Sequence, residues 1–180
     1  MSKIGKKNIL IPKDSSIKIE GANLTITGPK GTKNLTINDK IFSSKLTDSE
    51  LKILPLEKKI DKKTSIMWGT YRSLINNAVL GVSIGHEKIL ELTGVGLRAN
   101  LKGELLNLQI GFSHDVNFKI PKDVKITVEK QTIIKINGVD KELVSKTAAD
   151  IKSLKPVEPY KGKGIKERGQ FVLRKEGKKK

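Results

Sequence analysis

The sequence predicts an α+β chain: two tandem, duplicated small domains, each a mostly antiparallel sheet with a helix packed on one face, followed by a basic C-terminal tail. Three observations predict it. One segment of the chain occurs twice. Each copy holds two short runs in which apolar and polar residues alternate, the period of a half-buried strand. Each copy is followed later by one stretch whose apolar residues recur at three- and four-residue steps, the mark of a helix lying on a sheet.

The repeat begins with Ile11-Pro12-Lys13-Asp14, which returns as Ile120-Pro121-Lys122-Asp123. The first copy continues through residues 15–20 to the run 23–28, which ends in Gly28. The second continues through 124–129 to 133–138, which ends in Gly138. Asp to Gly is 14 residues in one copy and 15 in the other. A shared tetrapeptide in a matched order argues for duplication rather than two unrelated hairpins.

Further strand candidates before the first helix are 35–37, 41–42 and 51–56. The first helix is placed at 65–80, with Met67, Tyr71, Leu74, Ile75, Ala78 and Val79 as its stripe. Thr64 or Ser65 suits its N-cap, and Gly81 suits its C-terminal glycine. The glycines at 81–85 suggest a boundary, dividing the chain into 1–82, 83–174 and a tail at 175–180. In the second part, 87–93, 101–110 and 116–120 read as strands, with a hairpin turn at 100–103. The second helix is placed at 141–154, with Val144, Thr147, Ala148, Ile151 and Leu154 facing the core. Aromatics make up only 4% of the chain, so the cores must be aliphatic, which suits two modest sheets.

The net charge is +17, and 12 of those charges sit on residues 1–13 and 152–180. The stretch 81–151 holds 10 basic and 9 acidic groups and is close to neutral. Positive charge gathered at the ends is the footprint of a polyanion binder, although charge alone names no partner. The chain has no cysteine, so disulfides, thiol nucleophiles and Cys-based zinc sites are excluded. No run of apolar residues is long enough to span a membrane, and neither helix is the basic amphipathic type that binds a membrane surface. Residues 1–7 read neither as a secretory signal nor as a transit peptide.

No catalytic constellation is present. His86 and His114 lack a ligand or carboxylate at metal spacing and read as solvated or turn residues. Gly94-Val95-Gly96 has part of a dinucleotide fingerprint, with Ala99 in the third place, but no helical pattern follows. It reads as a turn at a strand end, with Arg98 exposed beside it. No enzyme activity, metal, cofactor or small-molecule substrate is expected.

The segment 155–169 stands apart. Pro156 and Pro159 stiffen its entry, Tyr160 follows, and Lys161, Lys163, Lys166 and Arg168 are spaced by Gly162, Gly164 and Gly169. Proline fixes φ and glycine frees it, so the segment reads as a shaped loop, neither helix nor ordinary strand. Glycines let a backbone approach phosphate closely, lysines neutralise it, and Tyr160 offers a stacking face. The plainer alternative is a flexible basic linker before a final strand at 171–174. Lys155 and Arg174 flank the loop, and Lys3, Lys6 and Lys7 join the candidate set as the N-terminal basic cluster.

These residues resemble the bacterial form of the universal large-subunit ribosomal protein six family over essentially the whole chain. The resemblance rests on residues 2–7, on 91–99, on 108–114 and on Glu158-Pro159-Tyr160-Lys161-Gly162-Lys163-Gly164-Ile165. The last segment is the family's hallmark; Val157 stands where the family usually has proline, which loosens the loop entry. The resemblance implies two duplicated α+β domains and a structural and assembly protein. It implies binding to large-subunit rRNA near the sarcin–ricin region and the base of the factor-binding stalk. The rRNA-contacting loop maps to Tyr160, Lys161, Gly162, Lys163, Gly164, Lys166 and Arg168. Expected partners are large-subunit rRNA and neighbouring large-subunit proteins, with translation factors nearby. The expected location is the cytoplasmic ribosome, or that of an organelle encoding its own ribosomal proteins. A free-standing RNA-binding chaperone is the alternative reading, and it would bind many nucleic acids equally.

Overall fold

The sequence repeat returns as a repeat of backbone geometry. The computed structural model describes residues 2–47, 49–57 and 60–177. In both copies the tetrapeptide closes a tight turn: Ser15 N–H donates to the Pro12 carbonyl at 3.0 Å, and Val124 N–H to the Pro121 carbonyl at 3.2 Å. Each turn feeds an antiparallel hairpin, β2 (Ser16–Glu20) with β3 (Asn23–Gly28), and β11 (Val124–Glu129) with β12 (Ile133–Gly138). The one-residue difference in spacing lies in the hairpin loops. Gly21 and Ala22 join β2 to β3, whereas residues 130–132 join β11 to β12. Both hairpins end in a glycine for the same reason. A Cβ on Gly28 would lie 2.6 Å from the Val82 carbonyl oxygen, and one on Gly138 would lie 2.7 Å from Val144 Cγ2. Each helix packs where a side chain would otherwise stand.

The chain divides into two compact units, Met1–Gly85 with Val139–Lys141, and His86–Gly138 with Glu142–Lys180. The first unit has two three-stranded antiparallel sheets. β1 (Ile9–Leu10), β6 (Glu50–Pro55) and β5 (Phe42–Thr47) lie side by side in that order, and β3 lies between β2 and β4 (Gly31–Thr36). Helix α1 (Lys62–Ser83) packs against β3, β4 and β6. Leu24, Ile26, Leu51, Ile53, Ile75 and Val79 form the centre of this core. Each fully buried aliphatic side chain contributes about 1.5–3 kcal/mol. Trp68 joins them and donates its indole N–H to the Ile53 carbonyl at 2.9 Å. Gly5 lies flat on that indole; a Cβ there would sit 2.5 Å from Trp68 Cδ2.

The second unit has a four-stranded sheet, ordered β11, β12, β7 (His86–Thr93) and β13 (Gly164–Glu167). Its three-stranded sheet places β9 (Leu105–Gln109) between β8 (Arg98–Lys102) and β10 (Val116–Lys119). All pairings are antiparallel. Helix α2 (Lys141–Leu154) buries Val144, Thr147, Ala148 and Ile151. Leu90, Leu106, Leu108, Ile134, Ile136 and Ile165 are fully enclosed.

Several elements differ from the sequence reading. Helix α1 begins at Lys62 after Asp61 as N-cap, so Thr64 and Ser65 lie within its first turn. Gly81 is buried inside it, and the helix ends beyond, where Ile84 and Gly85 both donate to the Leu80 carbonyl. Gly85, at φ +89, takes the left-handed conformation that ends a helix. The helix is also turned from its expected stripe: Trp68 and Val82 are buried, and Leu74 is 44% exposed. Strands β4 and β5 run through polar residues because their outer faces meet solvent, where pairing needs backbone groups rather than apolar side chains. Pairing along β1 stops where Pro12 lacks an N–H, and the 100–103 turn falls instead at Gly103 and Glu104.

Candidate nucleic-acid interface

Helix α2 stops at Leu154, and the chain leaves it in an extended limb that returns as β13. Three backbone hydrogen bonds lace the two limbs. Ile165 N–H donates to the Lys155 carbonyl at 3.0 Å, Glu158 N–H to the Lys163 carbonyl at 2.8 Å, and Gly162 N–H to the Glu158 carbonyl at 3.0 Å. The tip 159–163 is therefore fixed rather than slack. Gly164 makes the lacing possible. Its φ is +138, and a Cβ would lie 2.7 Å from the Pro156 oxygen and 2.8 Å from Val157 Cα. Gly162 and Gly164 are buried, while Lys161 and Lys163 are exposed and Tyr160 is 54% exposed. Small residues thus face inward and cations outward. Among the described residues Lys161 and Lys163 have no ion pair, so both charges are open to an anion.

Four residues of the segment read as loop, Gly164–Glu167, form a strand. β13 adds to the edge of β7, pairing Gly164 with Thr93 and Glu167 with Leu90, and Ile165 anchors it in the core. Alternating glycine and lysine hid this pairing. Lys166 and Arg168 are consequently held by an acid: Lys166 Nζ lies 3.4 Å and Arg168 Nε 3.2 Å from the Glu91 carboxylate. Lys88 pairs with Glu167 on the same strands.

Residues 171–174 are not a strand. The chain turns at Gly169 and returns to the loop tip, where Lys175 N–H donates to the Pro159 carbonyl at 2.9 Å. The Arg174 guanidinium lies over Gly162, where a Cβ would come within 3.3 Å of it. The structure therefore joins Arg174 to the loop and adds Lys175, whose place in a lysine-rich tail gave no sign of it. The last three tail lysines lie outside the described residues. Lys155 roots the loop, while Lys3, Lys6 and Lys7 are exposed on the first unit. Gly94 to Gly96 form a turn into β8, with no helix following. Among the described residues no cluster of three or more His, Asp or Glu could hold a metal ion, and no helix is long and apolar enough to cross a membrane.

The family described as ribosomal protein L6 matches the chain twice, over residues 11–85 and 93–168. The chain belongs to the ribosomal protein L6 family. Each L6 match contains one copy of the tetrapeptide, its hairpin and its helix. The large ribosomal subunit protein uL6 of Staphylococcus carnosus is 49% identical over 179 residues, 99% of this chain and 98% of that one. The proteins of the same name from Phenylobacterium zucineum and Beijerinckia indica are 46% and 45% identical over the full length of both chains.

Proposed function

We propose that the chain is a structural component of the large ribosomal subunit and that it docks on rRNA through the 159–168 loop. The observation that carries this reading is the arrangement of that loop: glycines buried in a laced frame, with Tyr160, Lys161 and Lys163 turned outward. Phosphates pair with the cations, and recognition follows RNA shape, because phosphate contacts set register without reading bases. The rRNA partner lies near the sarcin–ricin region and the base of the factor-binding stalk, as the family resemblance implies. The first unit meets neighbouring subunit proteins, and the second holds the RNA. The tail at 175–180, Lys3, Lys6 and Lys7 add positive charge. The role is assembly and support within a bacterial-type cytoplasmic ribosome, not catalysis.

The test is the double variant Lys161→Glu with Lys163→Glu. The expected outcome is loss from the large-subunit peak of a high-salt sucrose gradient, with a thermal midpoint close to that of the unchanged protein. For isolated protein and rRNA, about five engaged cations give a slope of log affinity on log salt of roughly −3.5 to −4.5. Undiminished recovery of the double variant, or a slope near zero, overturns the reading. Binding spread equally over all nucleic acids would favour a free-standing chaperone.

A further inference from the structure

Residues 110–115, between β9 and β10, expose an aromatic surface that the basic loop does not explain. Phe112 is 51% exposed. His114, also exposed, lies nearly parallel to it, with ring centroids 6.3 Å apart and planes 18° apart. Lys155 Nζ stands 5.3 Å from the Phe112 centroid. The connection is pinned at its base. Asn107, only 6% exposed, donates to Asn117 Oδ1 at 2.9 Å and to Asp115 Oδ2 at 3.3 Å. Gly111 turns the corner at φ +82. Lys155 also links this surface to the basic loop, since its carbonyl accepts the Ile165 N–H while its ammonium covers the ring.

We propose that Phe112 and His114, with Lys155 beside them, form a stacking site for an unpaired nucleobase of RNA. The proposal rests on the rRNA-docking reading and adds a second contact to it. An exposed Phe on a pinned connection leaves apolar area in water, which a flat partner would cover. The partner is RNA rather than protein because a cation lies against the ring and residues 152–180 carry 11 basic groups against 3 acidic. Unpaired RNA bases are bound by stacking on aromatic rings with a basic group nearby. One such stack strengthens binding about five- to 150-fold.

The experiment titrates the full chain against a full-length large-subunit rRNA transcript and probes base reactivity chemically. Phe112→Ala is expected to weaken binding by that factor without changing the salt slope, and to uncover one unpaired base. Phe112→Trp keeps affinity and protection, whereas Phe112→Leu loses both despite its apolar bulk. If Phe112→Ala fails to fold, the Trp and Leu variants carry the comparison. Unchanged affinity and protection in Phe112→Ala overturn the proposal, as does full binding by Phe112→Leu. So does a defect seen only when other subunit proteins are present, which would mark a protein contact. Lys161→Glu with Lys163→Glu runs alongside. If it loses binding while Phe112→Ala does not, the stacking site alone falls; if neither changes binding, the docking reading falls too.

Discussion

Alanine at position 164 tests whether the basic loop is a rigid platform. Gly164 has φ +138, a region closed to side chains, and forcing alanine there costs about 1–3 kcal/mol. The added Cβ would also lie 2.7 Å from the Pro156 oxygen and 2.8 Å from Val157 Cα. Both are backbone atoms, so neither can swing aside as a side-chain tip would. Relief requires moving the 155–158 limb away from β13, which stretches the bond from Ile165 N–H to the Lys155 carbonyl. Overpacking of this kind adds about 1–3 kcal/mol. The sum, about 2–6 kcal/mol, is a large part of the 5–15 kcal/mol that holds a typical domain. Either the second unit loses stability, at about 4–8 °C per kcal/mol for a unit of this size, or the limb detaches while the sheet persists. Thermal unfolding detects the first, and faster amide exchange at Ile165 and Gly162 detects the second. Both weaken rRNA binding. Gly169→Ala is the control: φ is +81 with no heavy atom within 4 Å, so only backbone strain of about 1–2 kcal/mol applies. The reasoning is refuted if Gly164→Ala leaves midpoint, exchange and affinity unchanged, or if Gly169→Ala costs as much.

Two further substitutions probe the surroundings. Glu91→Gln releases Lys166 and Arg168 from their shared carboxylate; stability should fall by less than about 1 kcal/mol, as for partly exposed ion pairs. With two more cations open to phosphate, the salt slope of rRNA binding should steepen by roughly 1–2, and a titration at several salt concentrations checks it. Gly5→Ala pushes a methyl into the face of Trp68, which should cost about 1–3 kcal/mol and shift the emission of the chain's single tryptophan to the red. An unshifted spectrum would mean that the N-terminal turn does not rest on the indole.

The duplicated α+β plan is written in local patterns of residues. Alternation in 124–129 and 133–138, and the stripe of Val144, Thr147, Ala148 and Ile151, are patterns carried by neighbouring residues, and the structure repeats them. The shared tetrapeptide marked the start of each hairpin because the same turn forms in both. Of the candidate interface, a shaped turn presenting Lys161 and Lys163 was legible, since proline and glycine act on their own backbone; the glycines, expected to approach phosphate, are instead buried, Gly162 against Arg174 and Gly164 against Pro156 and Val157. Other features depended on residues far apart in the chain. Periodicity outlined a stripe on α1, but the sheets of its own unit determined that Trp68 faces in and Leu74 faces out. Glu91 meets Arg168 across 77 residues, and β13 becomes a strand only because β7 has a free edge there. Lys175 reaches Pro159, and Lys155 reaches Phe112, only after the chain has folded back. A local pattern is written in adjacent side chains; a long-range pairing is set by which backbone groups and charges remain unsatisfied once the layers have packed, and it leaves no mark on the residues beside it.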